Sequence, residues 1–217
     1  MELDWSVVGR SWDLLIGGTW VTLQLFVWSL ALGTVLGLIL ALMRLSRFRA
    51  LRWLSLGYIW LFRGIPVLVA LFFAFFVLGR QIGLSPLQAG ILGLGTSAAA
   101  YKAEIIRAGI MSVDPGQYEA AEGLAMTRRH YMRRIIIPQG IRVMVPTYMS
   151  NTILVLKVSS VAVAIGIVEL TGITRQLSNS TNRPIELFTA AAFIYLMLTT
   201  VLVIVQEILE RRFSLKT

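Results

Sequence analysis

The stretch "LLIGGTWVTLQLFVWSLALGTVLGLILALM", residues 14 to 43, carries no charged side chain. A helix needs about 20 apolar residues to cross the hydrocarbon core of a bilayer, so this run can span it with some tilt or protrusion. The whole chain agrees, because 57% of its residues are hydrophobic and only 14% are charged, against about 25% charged in soluble domains. The sequence therefore predicts an all-α protein embedded in a lipid bilayer.

Further apolar runs predict about five transmembrane helices within a single domain, residues 1–217. The expected spans are 14–43, 53–79, 84–107, 143–168 and 187–206. The second is interrupted by "FRGIP", residues 62–66, and the third is rich in glycine and alanine. Gly33 and Gly37 in the first span are four residues apart, a spacing that allows close helix contact, and we expect this contact to be packing within the chain.

Basic residues are distributed unevenly along this arrangement. Fourteen of the 20 lysine and arginine residues fall on one predicted side. They are Arg44, Arg47, Arg49, Arg52, Lys102, Arg107, Arg128, Arg129, Arg133, Arg134, Arg142, Arg211, Arg212 and Lys216. Cytoplasmic loops carry an excess of lysine and arginine, so the N-terminus is predicted outside and the C-terminus in the cytoplasm. The same bias accounts for the net charge of +9, and no nucleic-acid partner is expected.

The residue types also exclude several kinds of site. The chain has no cysteine and one histidine, which excludes disulfides, thiolate metal sites and multi-histidine metal sites. No catalytic residue or metal ligand is predicted, because the spans lack the cluster of His, Asp or Cys that a membrane-embedded enzyme needs. No Gly-x-x-x-x-Gly-Lys-Ser/Thr phosphate loop occurs in the sequence, so the chain is not expected to bind ATP in that way.

The long polar connection, residues 112–138, has features of a docking surface. In "SVDPGQYEAAEGLA", residues 112–125, Asp114 can cap a helix whose first turn contains Pro115. Small side chains in this helix let another backbone approach, and a second basic segment is expected to end at Pro138, where the chain turns back into the membrane. Composition alone equally allows a solvated amphipathic helix that lies against anionic headgroups.

The stretch "EAAEGLAMTRRHYMRRIIIPQGIRVMVP", residues 119–146, resembles the EAA loop of permease subunits of binding-protein-dependent ABC importers. "LFRGIPVLVALFF", residues 61–73, and "LVLKVSSVA", residues 154–162, resemble further blocks of the polar amino-acid subfamily. The resemblance covers about residues 18–213. The family usually reads Glu-Ala-Ala-x-Ala-Leu-Gly, whereas this chain has Gly123 and Ala125, so the flexible position is expected two residues earlier, at Gly123.

The resemblance implies an ATP-driven importer of a polar amino acid or a derivative such as an opine, in the bacterial inner membrane. It implies that the chain itself binds no cofactor, because ATP and Mg would lie on a separate ATPase dimer. The other implied partners are a second permease, identical or paralogous, and a periplasmic or extracellular solute-binding protein. By the resemblance, the residues coupled to the ATPase are Glu119, Ala120, Ala121, Gly123, Ala125 and Pro138. The alternative is a secondary transporter or another permease without an ATPase, but no internal repeat typical of secondary transporters is visible.

Polar residues within the predicted spans suggest a substrate path, because charge inside a bilayer is costly and usually functional or paired. The candidates are Arg63, Glu104, Asn151, Lys157, Ser159 and Ser160. Arg63 could bind a substrate carboxylate, satisfy nearby backbone carbonyls or reach the interface. Lys157 could line the path or form a structural pair with Glu104 or Glu169. Val158 stands where the family often has an acid or Asn, which favours neutral or acidic amino acids and their carboxylate-bearing conjugates over arginine, lysine or histidine.

Overall fold

The computed structural model describes residues 3–213, so Lys216 lies outside the described residues. Within that range the chain is helical and contains no strand. The helices are α1 (Ser6–Arg10), α2 (Trp12–Arg44), α3 (Arg49–Gly64), α4 (Val67–Phe72), α5 (Arg80–Ile82), α6 (Pro86–Met111), α7 (Pro115–Gly123), α8 (Arg128–Tyr131), α9 (Ile137–Val158), α10 (Leu170–Thr181) and α11 (Pro184–Phe213). A π-helical turn, Phe73–Gly79, joins α4 to α5, another, Met132–Ile136, joins α8 to α9, and a 3-10 segment, Ser159–Ile165, extends α9.

Three helical stretches are long and apolar enough to cross a membrane: α2, Arg128–Ile165 and α11. A fourth candidate is the pair formed by α3 and Val67–Ile82, which is bent by 107°. The interruption predicted at "FRGIP" within the span 53–79 is thus a sharp bend, and the bounds of this span stay a prediction. Ile65 is extended, with φ −101° and ψ 143°, because proline disfavours the helical conformation in the preceding residue and Pro66 lacks an N–H.

The helix α6 lies at the centre and packs against α2, α3, α4 and α9. Its 26 residues are long enough to span a membrane, although its glycines, alanines and charged end make it less apolar than the candidates above. A Cβ added at Gly33 would lie 2.9 Å from the Ala98 Cβ, and one at Gly37 would lie 2.8 Å from the Lys102 Cβ. The two glycines thus bring α2 against α6 within the chain, as predicted. The count of five spans stays a prediction that includes α6.

The helix α7 begins as the sequence predicts. Pro115 is its first residue, and the Asp114 carboxylate accepts a hydrogen bond from the Gly116 N–H at 2.6 Å. This bond satisfies one of the N–H groups that have no partner inside the helix. The local sequence therefore fixes where α7 starts.

The end of α7 differs from the prediction. The Ala125 N–H donates to the Glu122 carbonyl at 2.9 Å, and the Met126 N–H donates to the Ala121 carbonyl at 3.0 Å. This pair of bonds is the Schellman motif, which places one residue in the left-handed conformation. That residue is Ala125, with φ 54°. The flexible position thus coincides with the family's glycine, and the prediction that it moves to Gly123 is wrong.

The chain does not turn back at Pro138. The stretch Arg128–Ile165 is one helical unit, and Pro138 lies in the first turn of α9, directly after the π-helical turn. Proline is tolerated there because the π-helical turn before it already departs from the regular i→i−4 pattern of hydrogen bonds, which a proline would otherwise break. The turn occurs earlier, at residues 124–127.

Candidate functional site

One face of α7 holds the helix on the body of the chain. The Tyr118 hydroxyl donates to the Ile110 carbonyl at 3.0 Å, and burial raises the pKa of Tyr118, so the hydroxyl keeps its proton. Ala121 is 1% exposed and belongs to an apolar cluster that includes Tyr131 and Ile136. The small side chain of Ala121 therefore serves packing within the chain rather than an open surface.

The opposite face of α7 is open. Glu119 and Ala120 are exposed, and a Cβ added at Gly123 would meet nothing within 4 Å. Leu124 directly follows Gly123, and 77% of its surface is exposed. Sequence reasoning did not single out Leu124, and the only hint of its exposure in the sequence is that a large apolar residue follows small ones in a polar helix. We call Glu119, Ala120, Gly123 and Leu124 the α7 surface.

The α7 surface combines an exposed carboxylate with small and apolar side chains. In residues 3–213 no ion pair involves Glu119. Small residues around an exposed leucine and an unpaired carboxylate form a patch that another protein can cover closely. Of the remaining predicted coupling residues, Ala125 forms the turn and Pro138 is exposed on the first turn of α9.

A second region is a cleft of about 700 Å³ lined by residues of α3, α6 and α9. It brings together three of the six predicted path residues, Arg63, Glu104 and Asn151. The Arg63 guanidinium lies 5.5 Å from the centre of the Tyr101 ring, which also lines the cleft. The Asn151 Oδ1 is buried and accepts no hydrogen bond from residues 3–213. Small-molecule sites have volumes of about 300–1,000 Å³ and a few such polar groups.

The charge of Glu104 is compensated inside the chain. The Arg107 Nε and Nη2 donate to its Oε2 at 3.1 and 2.8 Å, and the Arg44 Nε lies 3.7 Å from its Oε1. Arg63, by contrast, is exposed and forms no ion pair within the described range. The cleft thus presents an excess of positive charge.

The other three predicted path residues do not line the cleft. Lys157 is exposed, and among residues 3–213 it forms no ion pair with Glu104 or Glu169, so the predicted structural pair is wrong. The Ser159 hydroxyl donates to the Leu156 carbonyl at 2.7 Å, and the Ser160 hydroxyl donates to the Lys157 carbonyl at 2.8 Å. Both hydroxyls are therefore used at the end of their own helix.

Sequence reasoning missed the buried position of Lys102, which it counted among the cytoplasmic charges. Lys102 is fully buried; its Nζ lies 3.5 Å from the centre of the Tyr148 ring and donates to the Thr152 Oγ1 at 3.2 Å. No carboxylate of residues 3–213 forms an ion pair with it. The sequence contained a hint of this burial. Ala98 and Lys102 are four residues apart on α6, the same spacing as Gly33 and Gly37 on α2, which contact them.

Comparison with known proteins decides the family. The model of the "binding-protein-dependent transport system inner membrane component" matches residues 33–215. The chain belongs to this family. The permease is 40% identical to the octopine transport system permease protein OccM of Rhizobium radiobacter, over 97% of this chain and 90% of that protein. It is 35% identical to the L-cystine transport system permease protein TcyB of Bacillus subtilis (strain 168), over 97% and 91%.

A solved structure gives the same result for the fold. The permease superposes on the "crystal structure of an amino acid ABC transporter with histidines" with a TM-score of 0.90 and 35% identity, covering 98% of this chain and 100% of that one. The predicted all-helical membrane fold and the resemblance to ABC importer permeases are confirmed. The permease is an inner-membrane transport subunit, and neither a secondary transporter nor a membrane enzyme is favoured.

Proposed function

We propose that this permease moves an amino acid or amino-acid derivative with an accessible carboxylate into the cytoplasm. The observation that supports this substrate class is the cleft, where Arg63 is exposed while Glu104 is held by Arg107 and Arg44. Arginine binds carboxylates through two parallel N–H groups, so Arg63 would hold the carboxylate and the Asn151 Oδ1 would accept a hydrogen bond from the ammonium.

The cleft disfavours a cationic side chain. A smaller apolar space shares Asn151 and Leu154 with the cleft, and its lining includes Val158 but no acidic residue of the described range. A charge left unpaired in such a space costs several kcal/mol. Neutral or acidic polar amino acids and conjugates with extra carboxylates therefore rank above arginine, lysine and histidine. Relatives of the chain are named for octopine, nopaline, cystine, glutamate/aspartate and arginine.

Competition for uptake tests this ranking. Vesicles would contain the full complex, with the solute-binding protein outside and ATP inside. Excess glutamine or glutamate should displace the transported solute more strongly than arginine or lysine does. Displacement by arginine or lysine alone would contradict the ranking.

The proposed complex contains a separate ATPase dimer, which carries ATP and Mg, and a second permease subunit. The α7 surface would fit a cleft of the ATPase, and the rigid connection of α7 to the chain would pass the ATPase motion to the membrane helices. The Tyr118 bond to Ile110, buried Ala121 and the turn at Ala125 support such a rigid connection, because they hold α7 from one face.

In this complex the N-terminus would lie outside and the α7 surface in the cytoplasm. The basis is the excess of lysine and arginine on the predicted cytoplasmic side. Leaving buried Lys102 out of that count does not change the excess. Single cysteines at Ser46 and Arg129 should be protected from impermeant thiol reagents added outside, whereas a cysteine at exposed Asn179 should react. External labelling at position 129 would reverse the orientation.

A further inference from the structure

The helix α3 has an apolar face directed away from the chain. Trp53, Leu54, Trp60 and Leu61 are 69, 66, 76 and 48% exposed. The opposite face is packed, since the Ser55 hydroxyl donates to the carbonyl of Leu40 on α2 at 2.8 Å and Ile59 is 4% exposed. Four large apolar side chains on the free face need an apolar environment outside the chain.

A basic flank separates these two faces. Successive helical residues are about 100° apart, so Arg49, Arg52 and Arg63 fall within about 60° of one another around the axis of α3. All three are exposed, and within residues 3–213 none of them forms an ion pair. By the same arithmetic Trp53 and Trp60 border this flank. Tryptophan beside arginine is typical of the boundary between headgroups and acyl chains.

The flank opens onto a second cleft of about 480 Å³, which we call the α3 cleft. Its lining includes Arg44, Arg63, Trp60, Tyr101 and Glu104, together with apolar residues of α3. The Arg44 Nε is buried and donates no hydrogen bond to residues 3–213. Glu104 is bound by the neighbouring Arg107 and lies 3.7 Å from the Arg44 Nε. Its single negative charge thus faces the guanidinium groups of Arg107, Arg44 and Arg63, and the excess positive charge in the α3 cleft favours an anion.

The orientation of α3 places this cleft at a membrane surface. α3 is bent by 107° from Val67–Ile82, so the two halves cannot both run along the membrane normal. α3 packs near the end of α2, where the apolar run stops and Arg44 follows. A helix with an apolar free face and a basic flank at this level fits the plane of the interface.

We propose that α3 lies in the membrane interface on the side where α2 ends, and that the α3 cleft binds the phosphate of an anionic phospholipid. Arginine is suited to phosphate because its planar group donates two parallel N–H bonds. A lipid rather than a free anion fits, because Trp60 belongs both to the cleft and to the exposed apolar face. The acyl chains would thus follow Trp60 and Leu61 away from the phosphate.

Lipid binding to the purified full-length permease tests the site. Native mass spectrometry in a neutral detergent would compare dioleoyl phosphatidylglycerol with dioleoyl phosphatidylcholine. The wild type should retain phosphatidylglycerol preferentially, and Arg44→Gln or Arg63→Gln should weaken that retention on the order of tenfold, the effect of losing a charge-assisted bond. Arg80→Gln is the matched control, because Arg80 is exposed and lies 5.9 Å from the centre of the Phe76 ring, outside the cleft. Equal loss in the control would overturn the site.

Competition identifies the source of the phosphate. Inorganic phosphate at millimolar concentration should leave phosphatidylglycerol bound, and displacement by it would show a free-phosphate site instead. Arg63 lines both clefts, so octopine and glutamine should compete only for the part of lipid retention that depends on Arg63. The retention that remains in Arg63→Gln should resist both solutes, and its displacement by either would assign the α3 cleft to a carboxylate substrate.

A depth measurement keeps the inference testable if the arginine variants fail to fold. A variant would retain Trp60 as its sole tryptophan, with Trp5, Trp12, Trp20, Trp28 and Trp53 replaced by phenylalanine. In bilayers of brominated lipids, bromines near the glycerol end of the acyl chain should quench Trp60 more than bromines near the terminal methyl group. Strongest quenching by the terminal position, or none by either, would contradict an interfacial α3.

Discussion

The α7 surface and the contact between α2 and α6 use small residues for different purposes. On α7, Ala120 and Gly123 face open space, and their neighbour Glu119 has no ion pair within the described residues. Between α2 and α6, the space beside Gly33 and Gly37 is occupied by the opposing helix, because a Cβ added at either glycine would lie less than 3 Å from an atom of α6. The first region is exposed and is proposed to bind the ATPase, whereas the second is packed within the chain. Substitutions should therefore impair coupling at α7 and stability at the contact between α2 and α6.

Lys102→Ala should have the largest effect on stability. The change removes a fully buried side chain from between α6 and α9, together with its contacts to Tyr148 and Thr152. The cavity left by a long buried side chain costs on the order of 2–5 kcal/mol. Removing an ammonium that forms no ion pair among residues 3–213 offsets part of that cost, so the measured loss is what remains. Thermal unfolding of the purified permease in detergent would measure this loss of stability. Lys157→Ala is the control, because exposed Lys157 should change stability by no more than about 0.5 kcal/mol. Equal effects of the two lysines would remove the distinction between interior and surface.

Glu119→Lys should impair transport without impairing assembly. The α7 surface is proposed to bind the ATPase, and reversing its charge would replace a charge-assisted bond worth about 1.5–3 kcal/mol with repulsion. Uptake in vesicles should fall, while membrane insertion and co-purification with the second permease stay at wild-type levels. Asp13→Lys is the matched control, because it makes the same charge reversal at exposed Asp13 in the first turn of α2, away from the α7 surface. Wild-type uptake by Glu119→Lys would contradict the docking role of the α7 surface.

Gly37→Ala should destabilise the chain by overpacking. The new methyl group would lie 2.8 Å from the Lys102 Cβ and 3.1 Å from the Ala99 carbonyl oxygen, so two helices must separate. Such overpacking costs about 1–3 kcal/mol. Gly17→Ala is matched on the same helix, where an added Cβ meets nothing within 4 Å, and it should not lower the melting temperature. If both variants melt alike, the contact between α2 and α6 does not depend on its glycines.

The sequence predicts well those features that depend on neighbouring residues. The cap at Asp114, the start of α7 at Pro115 and the long apolar helices follow from local patterns, and the structure has them. It predicts less well those that depend on distant segments. The burial of Lys102 results from contacts with α2 and α9, and the exclusion of Lys157 from the cleft results from the position of the end of α9 relative to α3 and α6.

The bend at Pro66 and the turn at Ala125 show a third case. "FRGIP" indicated a break but not its angle of 107°, because the angle depends on how α3 packs against α2 and α6. At α7, the glycine of the sequence pointed to Gly123, but the Schellman bonds select Ala125. Residue preference is a weak guide where hydrogen bonds and the packing of the following Met126 decide the position of the turn.

Ala125→Gly should have the smallest effect, and it separates the shape of the loop from its surface. Ala125 is exposed and has φ 54°, a conformation that its Cβ disfavours and glycine adopts freely. Glycine would relieve this strain but gain entropy in the unfolded chain, so the net stabilisation should be about 0.5–1 kcal/mol. The melting temperature should rise slightly while uptake stays unchanged, because the α7 surface keeps its side chains. Ala125→Val is the opposing control, since a β-branched residue fits this conformation worse than alanine and should lower the melting temperature. A loss of stability in Ala125→Gly would mean that the left-handed turn is not where the strain of the loop resides.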